Sequence, residues 1–372
     1  MEQRLDRVID EAIAGNRIVG TVTLVAQNGA TTYARAAGMA DREAGRAMET
    51  DAIFRLASLT KPMVAATALA LIDRGTFTLD QRATDWLPDF QPRLLDGFTP
   101  DITIQQLLTH TAGLGYASDD PGDPYRDANV SNGIDQPGLS MEEELRRIVS
   151  VPLYFEPGSA WRYSVAIDVL GAMIAKATNG SLGDAVAGLM TGPLSMPDTG
   201  FFITDKARLA APYADAPGGP VLMADPHTIT EGLGEGRVFS PSRAFRPDSF
   251  QSGGAGMVGT AGDFLRFLEA IRTGGAPILK TETVDTALQN HVGMFRDEEA
   301  PGEGFGYLSA IATDPDRANA PYTPGTARWG GLYGHSWFID RTAGLSVVSL
   351  TNTAVEGCMG QFPDDIASAV YG

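Results

Sequence analysis

Phe54-Arg55-Leu56-Ala57-Ser58-Leu59-Thr60-Lys61-Pro62, running on into an apolar segment that stops at Gly75, is the stretch from which the rest of the chain can be read. Beyond Pro62 the apolar residues Ala65, Ala68, Leu69 and Ile72 recur at helical spacing, and Gly75 just past Arg74 is a C-terminal stop. Ser58 is therefore expected at the start of a helix. Residues three apart share a helix face, so the Lys61 amine falls beside the Ser58 hydroxyl. The helix N-terminus adds oriented N–H groups and a positive dipole end, which suit an oxyanion forming at that serine. To act as a base Lys61 must lose its proton near the working pH instead of near ~10.4, at a cost of about 4 kcal/mol that burial and a second cation or dipole can supply.

A serine that opens a helix can equally be a plain N-cap. Two counts set this one apart. Ser58 alone among the serines has a lysine three residues on, and the chain holds only four lysines (Lys61, Lys176, Lys206 and Lys280) among its 28 basic residues.

At 372 residues the chain exceeds the ~250–300 at which a single core stops growing, so two lobes are expected. A hydrophobic share of 43% leaves ample material for a core, and the net charge of −18 argues against nucleic acid or an anionic membrane as partner. One cysteine, Cys358, excludes an internal disulfide and a cysteine-based zinc site. The charged start Met1-Glu2-Gln3-Arg4 is unlike a secretory signal and no apolar run approaches ~18 residues, so a cytoplasmic protein is expected.

Leu5, Val8, Ile9, Ala12 and Ile13 mark a first helix. Two β-rich runs, Ile18 to Ala26 and Thr31 to Ala37, flank Asn28-Gly29 as a hairpin. From Thr76 to about Ser249 short helices alternate with long Pro-, Gly- and Asp-rich loops such as Ala117 to Pro137, which reads as a helical lobe inserted into a sheet lobe. The domain division expected is residues 1–75 with 250–372 for the sheet, and 76–249 for the helices. Ser252-Gly253-Gly254-Ala255-Gly256 lacks the context of a nucleotide loop. Phe264 to Ile271 reads as a helix; Ala327 to Gly331, Trp337 to Asp340 and Leu345 to Thr351 read as neighbouring strands, and Ile366 to Tyr371 as a closing helix.

A serine–lysine pair needs a further group to share the lysine's proton or protonate the leaving group. Tyr163, in Trp161-Arg162-Tyr163-Ser164-Val165 just before the apolar helix Ile167 to Ala175, can do so; alone it is equally a packing aromatic. Trp329-Gly330-Gly331-Leu332 pairs two glycines in a strand. That permits close approach of a substrate and a free N–H for an oxyanion, or else marks a bulge.

Together Ser58-Leu59-Thr60-Lys61, Tyr163-Ser164-Val165 and Trp329-Gly330-Gly331 resemble the three motifs of the penicillin-recognising serine hydrolases. Leu107-Leu108-Thr109-His110-Thr111-Ala112-Gly113-Leu114 resembles another stretch of that group, and the likeness runs from about Leu5 to Tyr371. Within the group the chain is most similar to the family VIII carboxylesterases. The resemblance implies a β-lactamase/penicillin-binding-protein-like fold: an α/β lobe with an antiparallel sheet flanked by helices, a second, mainly helical lobe, and the active site between them. It implies Ser58 as nucleophile, Lys61 and Tyr163 as the general base pair, and the backbone N–H groups of Ser58 and Leu332 as the oxyanion hole, with no cofactor.

Two departures bear on the substrate. Trp329 stands where β-lactamases and peptidases of the group carry a lysine for the drug's carboxylate, which removes a hydrogen bond of ~1.5–3 kcal/mol. Val165 stands where class C enzymes have an asparagine. An uncharged pocket formed by Trp329, Gly330, Gly331 and Val165 is therefore expected, favouring neutral, short-chain carboxylic esters cleaved through an acyl-enzyme. The rivals are a β-lactamase, D-amino-acid peptidase or transacylase on the same scaffold, and a sensor that stays acylated. The partner expected is a small-molecule ester, with homo-oligomerisation left open. His335 and His110 read as structural, His227 and His291 as lacking partners, and no His/Asp/Glu spacing suggests a metal. Trp161, Trp329, Trp337 and Phe305 are candidates for the acyl pocket wall. No Gly-x-Ser-x-Gly elbow is present.

Overall fold

Around Asn28-Gly29 the chain folds into the expected hairpin. Strand β1 (Gly20–Gln27) pairs antiparallel with β2 (Ala30–Asp41), and Asn28 and Gly29 take φ values of 52° and 88°, the positive pair that a two-residue hairpin loop requires. These details come from a computed structural model that describes residues 1–118, 122–232, 234–297 and 299–372; part of the Ala117 to Pro137 loop, residues 119–121, lies outside the described residues. The hairpin is the seed of an eight-stranded sheet completed by β3 (Arg46–Ala47), β4 (Glu303–Phe305), β5 (Ala310–Ala312), β6 (Ala327–Gly331), β7 (His335–Asp340) and β8 (Leu345–Thr351), in the order β4-β5-β6-β7-β8-β1-β2-β3. Every neighbouring pair is antiparallel. Two of the three strands read from the C-terminal sequence have the expected bounds, while β7 begins two residues earlier, at His335.

Both faces of the sheet are covered. Helix α1 (Glu2–Ala14) and the closing helix Phe362–Tyr371 lay Leu5, Ile9, Phe362 and Ile366 on Val25, Phe338 and Val347. On the opposite face Val22, Leu24, Val348 and Leu350 join a larger core that contains Phe264 and Leu268 of helix Ala261–Arg272. Each such side chain contributes about 1.5–3 kcal/mol on burial. Thr21 and Thr23 break the apolar pattern of β1 yet are fully buried, because Thr23 bonds Ser349 across the strands at 2.8 Å and Thr21 donates to the Leu350 carbonyl at 3.1 Å.

Helix α2 (Thr60–Asp73) follows the Ser58 turn. Residues 60 to 71 are all buried, as befits a helix that is apolar all round. It packs on helix α3 (Ala166–Thr178). Between residues 76 and 249 the helices other than α3 are short, including Ile104–Leu108 and Met141–Ser150, whereas α3 at 13 residues is longer than the expected pattern.

Glu144, on the helix Met141–Ser150, is wholly buried. It accepts a hydrogen bond from the Ser131 N–H at 3.1 Å. Burial, followed by the Asp168 and Asp135 charges, pushes its carboxyl up from 4.5 to about 8. The fold thus holds a proton that the unfolded chain releases between those values. Stability should therefore fall as pH rises from 4.5 to 8, by up to about 1.4 kcal/mol per pH unit from this group. Thermal melts from pH 5 to pH 8 should show Glu144→Gln losing less Tm than the native protein; parallel curves would mean that Glu144 is already ionised in the fold.

Candidate active site

Ser58 lies in a 3-10 turn, Ala57–Leu59, that runs directly into α2. The turn is entered through Ala57 at φ 46°, a conformation that costs a non-glycine residue about 1–3 kcal/mol. Packing against Ile134, Ala255 and Tyr333 holds it there.

Lys61, only 4% exposed, directs Nζ at Ser58 Oγ (3.2 Å) and at the carbonyl of Gly254 (2.8 Å). Tyr163 donates its hydroxyl to the same Oγ at 2.9 Å and accepts from Trp329 Nε1 at 3.1 Å. Lys61 Nζ also stands 4.6 Å from the centre of the Tyr163 ring. Two side chains, Lys61 and Tyr163, thus converge on one hydroxyl oxygen, and Trp329 joins them through Tyr163.

The Gly254 carbonyl is itself held in place. Asp168, fully enclosed on α3, accepts from the Ser252 hydroxyl at 2.5 Å and from the Gly254 N–H at 3.1 Å. Burial pushes its carboxyl up, while Ser252 and the Lys61 charge pull it back. Tyr116, 5.4 Å from Lys61 Nζ, is kept protonated, chiefly by burial and next by Asp168. The Ser252–Gly256 run is therefore a buried prop for Lys61.

Strand β6 closes on the turn from the other side. A side chain on Gly331 would put its Cβ 2.5 Å from the Leu56 carbonyl and 2.9 Å from Leu59, so the close approach requires glycine. Leu332 follows and borders the same cavity as Ser58. Among the described residues, neither the Ser58 N–H nor the Leu332 N–H donates to a protein acceptor.

That cavity has a volume of about 630 Å³, with Trp161, Trp329, Gly330 and Trp337 on its walls. Phe305 stands behind, against Trp161 and Trp329. Two expectations need correction. Val165 is completely buried and packs into the main core, so it does not border the cavity. Nor is the cavity uncharged: Arg162, Arg237, Arg296 and Arg328 line it beside Glu299 and Glu303.

The histidines divide. His335 is buried, bonds the Arg55 carbonyl at 2.8 Å and is lowered by burial to about 4, a neutral structural group. His110 takes φ 57° and pairs with Ser164 at 3.1 Å. Burial first, then the Lys61 and Arg296 charges, lower it, so a neutral imidazole packs on Tyr163. Contrary to expectation His291 and His227 have partners: His291 stacks on Tyr307 at 4.0 Å, and His227 Nδ1 accepts from the Ala224 N–H at 3.3 Å. Among the described residues no cluster of His, Cys, Asp and Glu could hold a metal ion, and no helix is long and apolar enough to cross a membrane.

Sequence reading missed Asp168, Tyr116 and Arg296. Only Asp168 left a signal, a lone carboxylate inside the apolar run Ile167 to Ala175.

Known proteins supply the comparison. Residues 5–367 match the family described as Beta-lactamase. The chain is 49% identical to Esterase EstB of Burkholderia gladioli over 372 residues, covering 99% of this chain and 94% of that protein. It is 27% identical to Lovastatin esterase of Penicillium rubens, covering 92% and 90%. Among solved structures it is similar to EstCE1, a hydrolase with promiscuous acyltransferase activity, with a TM-score of 0.96 and 42% identity over 100% of this chain and 98% of that one. Simvastatin synthase (LovD) from Aspergillus terreus, at 21% identity and a TM-score of 0.78 over 99% and 97%, shares the fold.

Proposed function

The chain belongs to the Beta-lactamase family, and on that premise we propose that it is a serine carboxylesterase that cleaves neutral, short-chain carboxylic esters through an acyl-enzyme on Ser58. One observation carries the reading: a single serine Oγ within 3.2 Å of Lys61 Nζ and 2.9 Å of the Tyr163 hydroxyl, on the wall of an open cavity. The likeness to Esterase EstB and to EstCE1, a hydrolase with promiscuous acyltransferase activity, supports it.

Ser58 Oγ attacks the ester carbonyl carbon as its proton passes to the Lys61/Tyr163 pair. The carbonyl oxygen becomes an oxyanion and takes the unengaged N–H groups of Ser58 and Leu332. When the tetrahedral intermediate collapses, the C–O bond to the alcohol breaks and Tyr163 returns a proton to the departing oxygen. Water then repeats the sequence on the acyl-enzyme and frees Ser58. Trp329 bears on this cycle through its N–H, which steadies the Tyr163 oxygen whenever that oxygen has given up its proton. Trp329→Phe, which keeps the ring but not the donor, should lower kcat about 10- to 100-fold with a small change in KM; an unchanged kcat would remove Trp329 from the proton path.

The two-lobe division at residues 1–75 with 250–372 against 76–249 belongs to the same proposal. It is supported by the large sheet, whose eight strands all come from outside residues 76–249. A cytoplasmic location is also part of it, and a chain with one cysteine is in keeping with a reducing compartment.

The deciding assay sets p-nitrophenyl butyrate beside a chromogenic cephalosporin. Fast ester turnover with weak lactam cleavage is the expected result. Equal rates on both would put a β-lactamase ahead, and a burst without turnover would make the protein an acylated sensor.

A further inference from the structure

Arg296 and Arg328 share one carboxylate. Arg296 ion-pairs with one oxygen of Glu303 and Arg328 with the other, so two positive charges meet a single negative one at the sheet edge where β4 lies. All three residues line the cavity that contains Ser58. The surroundings are aromatic. Arg296 Cζ lies 5.1 Å from the Trp161 ring centre and 5.4 Å from that of Trp329, and Arg328 Cζ lies 5.5 Å from that of Tyr322.

The hydrogen bonds around the pair are incomplete. Glu303 and the Gly304 carbonyl engage Nη1 of Arg296, and Glu303 engages Nη2 of Arg328. Among the described residues Nη2 of Arg296 donates to no protein acceptor and the Nε groups of both arginines are buried without one, while the Arg328 guanidinium also engages the Tyr322 hydroxyl. A guanidinium keeps its charge even where burial is unfavourable. Burial pushes Arg296 down, Glu303 pulls it back, the like charge of Arg328 pushes it down again, and Glu299 opposes that last push more weakly. Two guanidiniums thus share one directly bonded carboxylate on the cavity wall, with Glu299 and Asp364 acting on them only through their charge.

We propose that Arg296 and Arg328 form a carboxylate subsite, and that the preferred substrates are esters carrying a second, free carboxylate remote from the bond cleaved, such as half-esters of dicarboxylic acids. The corner lies one ring from the chemistry: Trp329, stacked on Arg296, donates to Tyr163, which touches Ser58. The subsite therefore reads the far end of a substrate whose carbonyl sits at Ser58. This rests on the esterase reading for its chemistry and departs from it on the substrate, making neutral esters the poorer ones.

The test compares each anionic ester with its methyl-capped neutral twin. Mono-4-nitrophenyl glutarate places the carboxylate on the acyl side, and 4-carboxyphenyl butyrate places it on the alcohol side. For at least one of the two, kcat/KM should exceed that of the twin about tenfold or more, the difference lying in KM. Arg328→Met, which leaves Arg296 and Glu303 as a balanced pair, should reduce this ratio about tenfold, Arg328→Lys should keep part of it, and Glu303→Gln should raise it. Opposite responses to the arginine and glutamate changes are the signature that general damage to the fold would not produce. Ratios near one for both esters in the native protein, or ratios unmoved by Arg328→Met, would overturn the subsite while leaving the esterase standing. If none of the four esters is turned over, the esterase reading fails. Calorimetric titration with glutarate alone then decides the subsite: heat of binding that is lost in Arg328→Met supports it, and no binding at millimolar glutarate overturns it.

Discussion

Ser58→Ala is expected to lower kcat for p-nitrophenyl butyrate by about five to six orders of magnitude. The hydroxyl is the point on which Lys61 and Tyr163 both converge, so its removal leaves the base pair with no proton to take and the substrate carbonyl with no nucleophile. The folded state should be nearly unaffected, since among the described residues the Ser58 side chain makes no hydrogen bond other than those two and borders an open cavity. An unchanged melting curve together with loss of turnover is therefore the expected pair of results. A fluorophosphonate probe should add one label to the native protein, on the peptide carrying Ser58, and none to the variant. Turnover within tenfold of the native rate would sink the mechanism as a whole.

The second large effect belongs to Lys61. Lys61→Met keeps the length of the side chain and its apolar stem, and it should slow acylation by about 10³- to 10⁴-fold, the range associated with loss of a positioned general base. Lys61→Arg should fail almost as badly although it keeps the charge. A guanidinium cannot accept the proton, and the buried space between Ser58, Gly254 and the Tyr163 ring is filled by a single amine nitrogen. Single-turnover measurement of acylation separates this from slow product release. If Lys61→Met acylates within tenfold of the native rate, the proton passes to Tyr163 alone.

Much of this site could be read before any coordinates, because its residues lie in short local patterns with strong constraints. The Ser58–Lys61 spacing works only on a helix, the Asn28-Gly29 turn specifies the hairpin, and Gly330-Gly331 announced a strand that something must approach closely. Strands β4 and β5 were not legible, since three residues each carry no periodicity. The charge of the cavity was misread for a related reason. It was judged from Trp329 and Val165, but Val165 is turned into the core. The charge comes instead from Arg296 and its neighbours, which sit on loops and strand ends whose direction depends on packing. Glu144 was likewise hidden: a carboxylate among the charged residues of a helix looks like a surface residue until tertiary structure encloses it, whereas Asp168 stood out inside its apolar run.

The sheet also dictates when the protein can become active. Strand β1 is bonded to β8 along its whole length, and the Thr21 hydroxyl reaches the Leu350 carbonyl 329 positions later. On a ribosome adding 5–20 residues per second, the first hairpin waits roughly 15–70 s for its neighbour, with an open edge and two apolar faces that invite other chains. Ser58 emerges early, but Leu332 and Trp329 arrive only near the end, so a growing chain has no assembled site to react prematurely. Recovery of esterase activity during refolding should consequently lag behind helix formation and keep time with closure of the sheet.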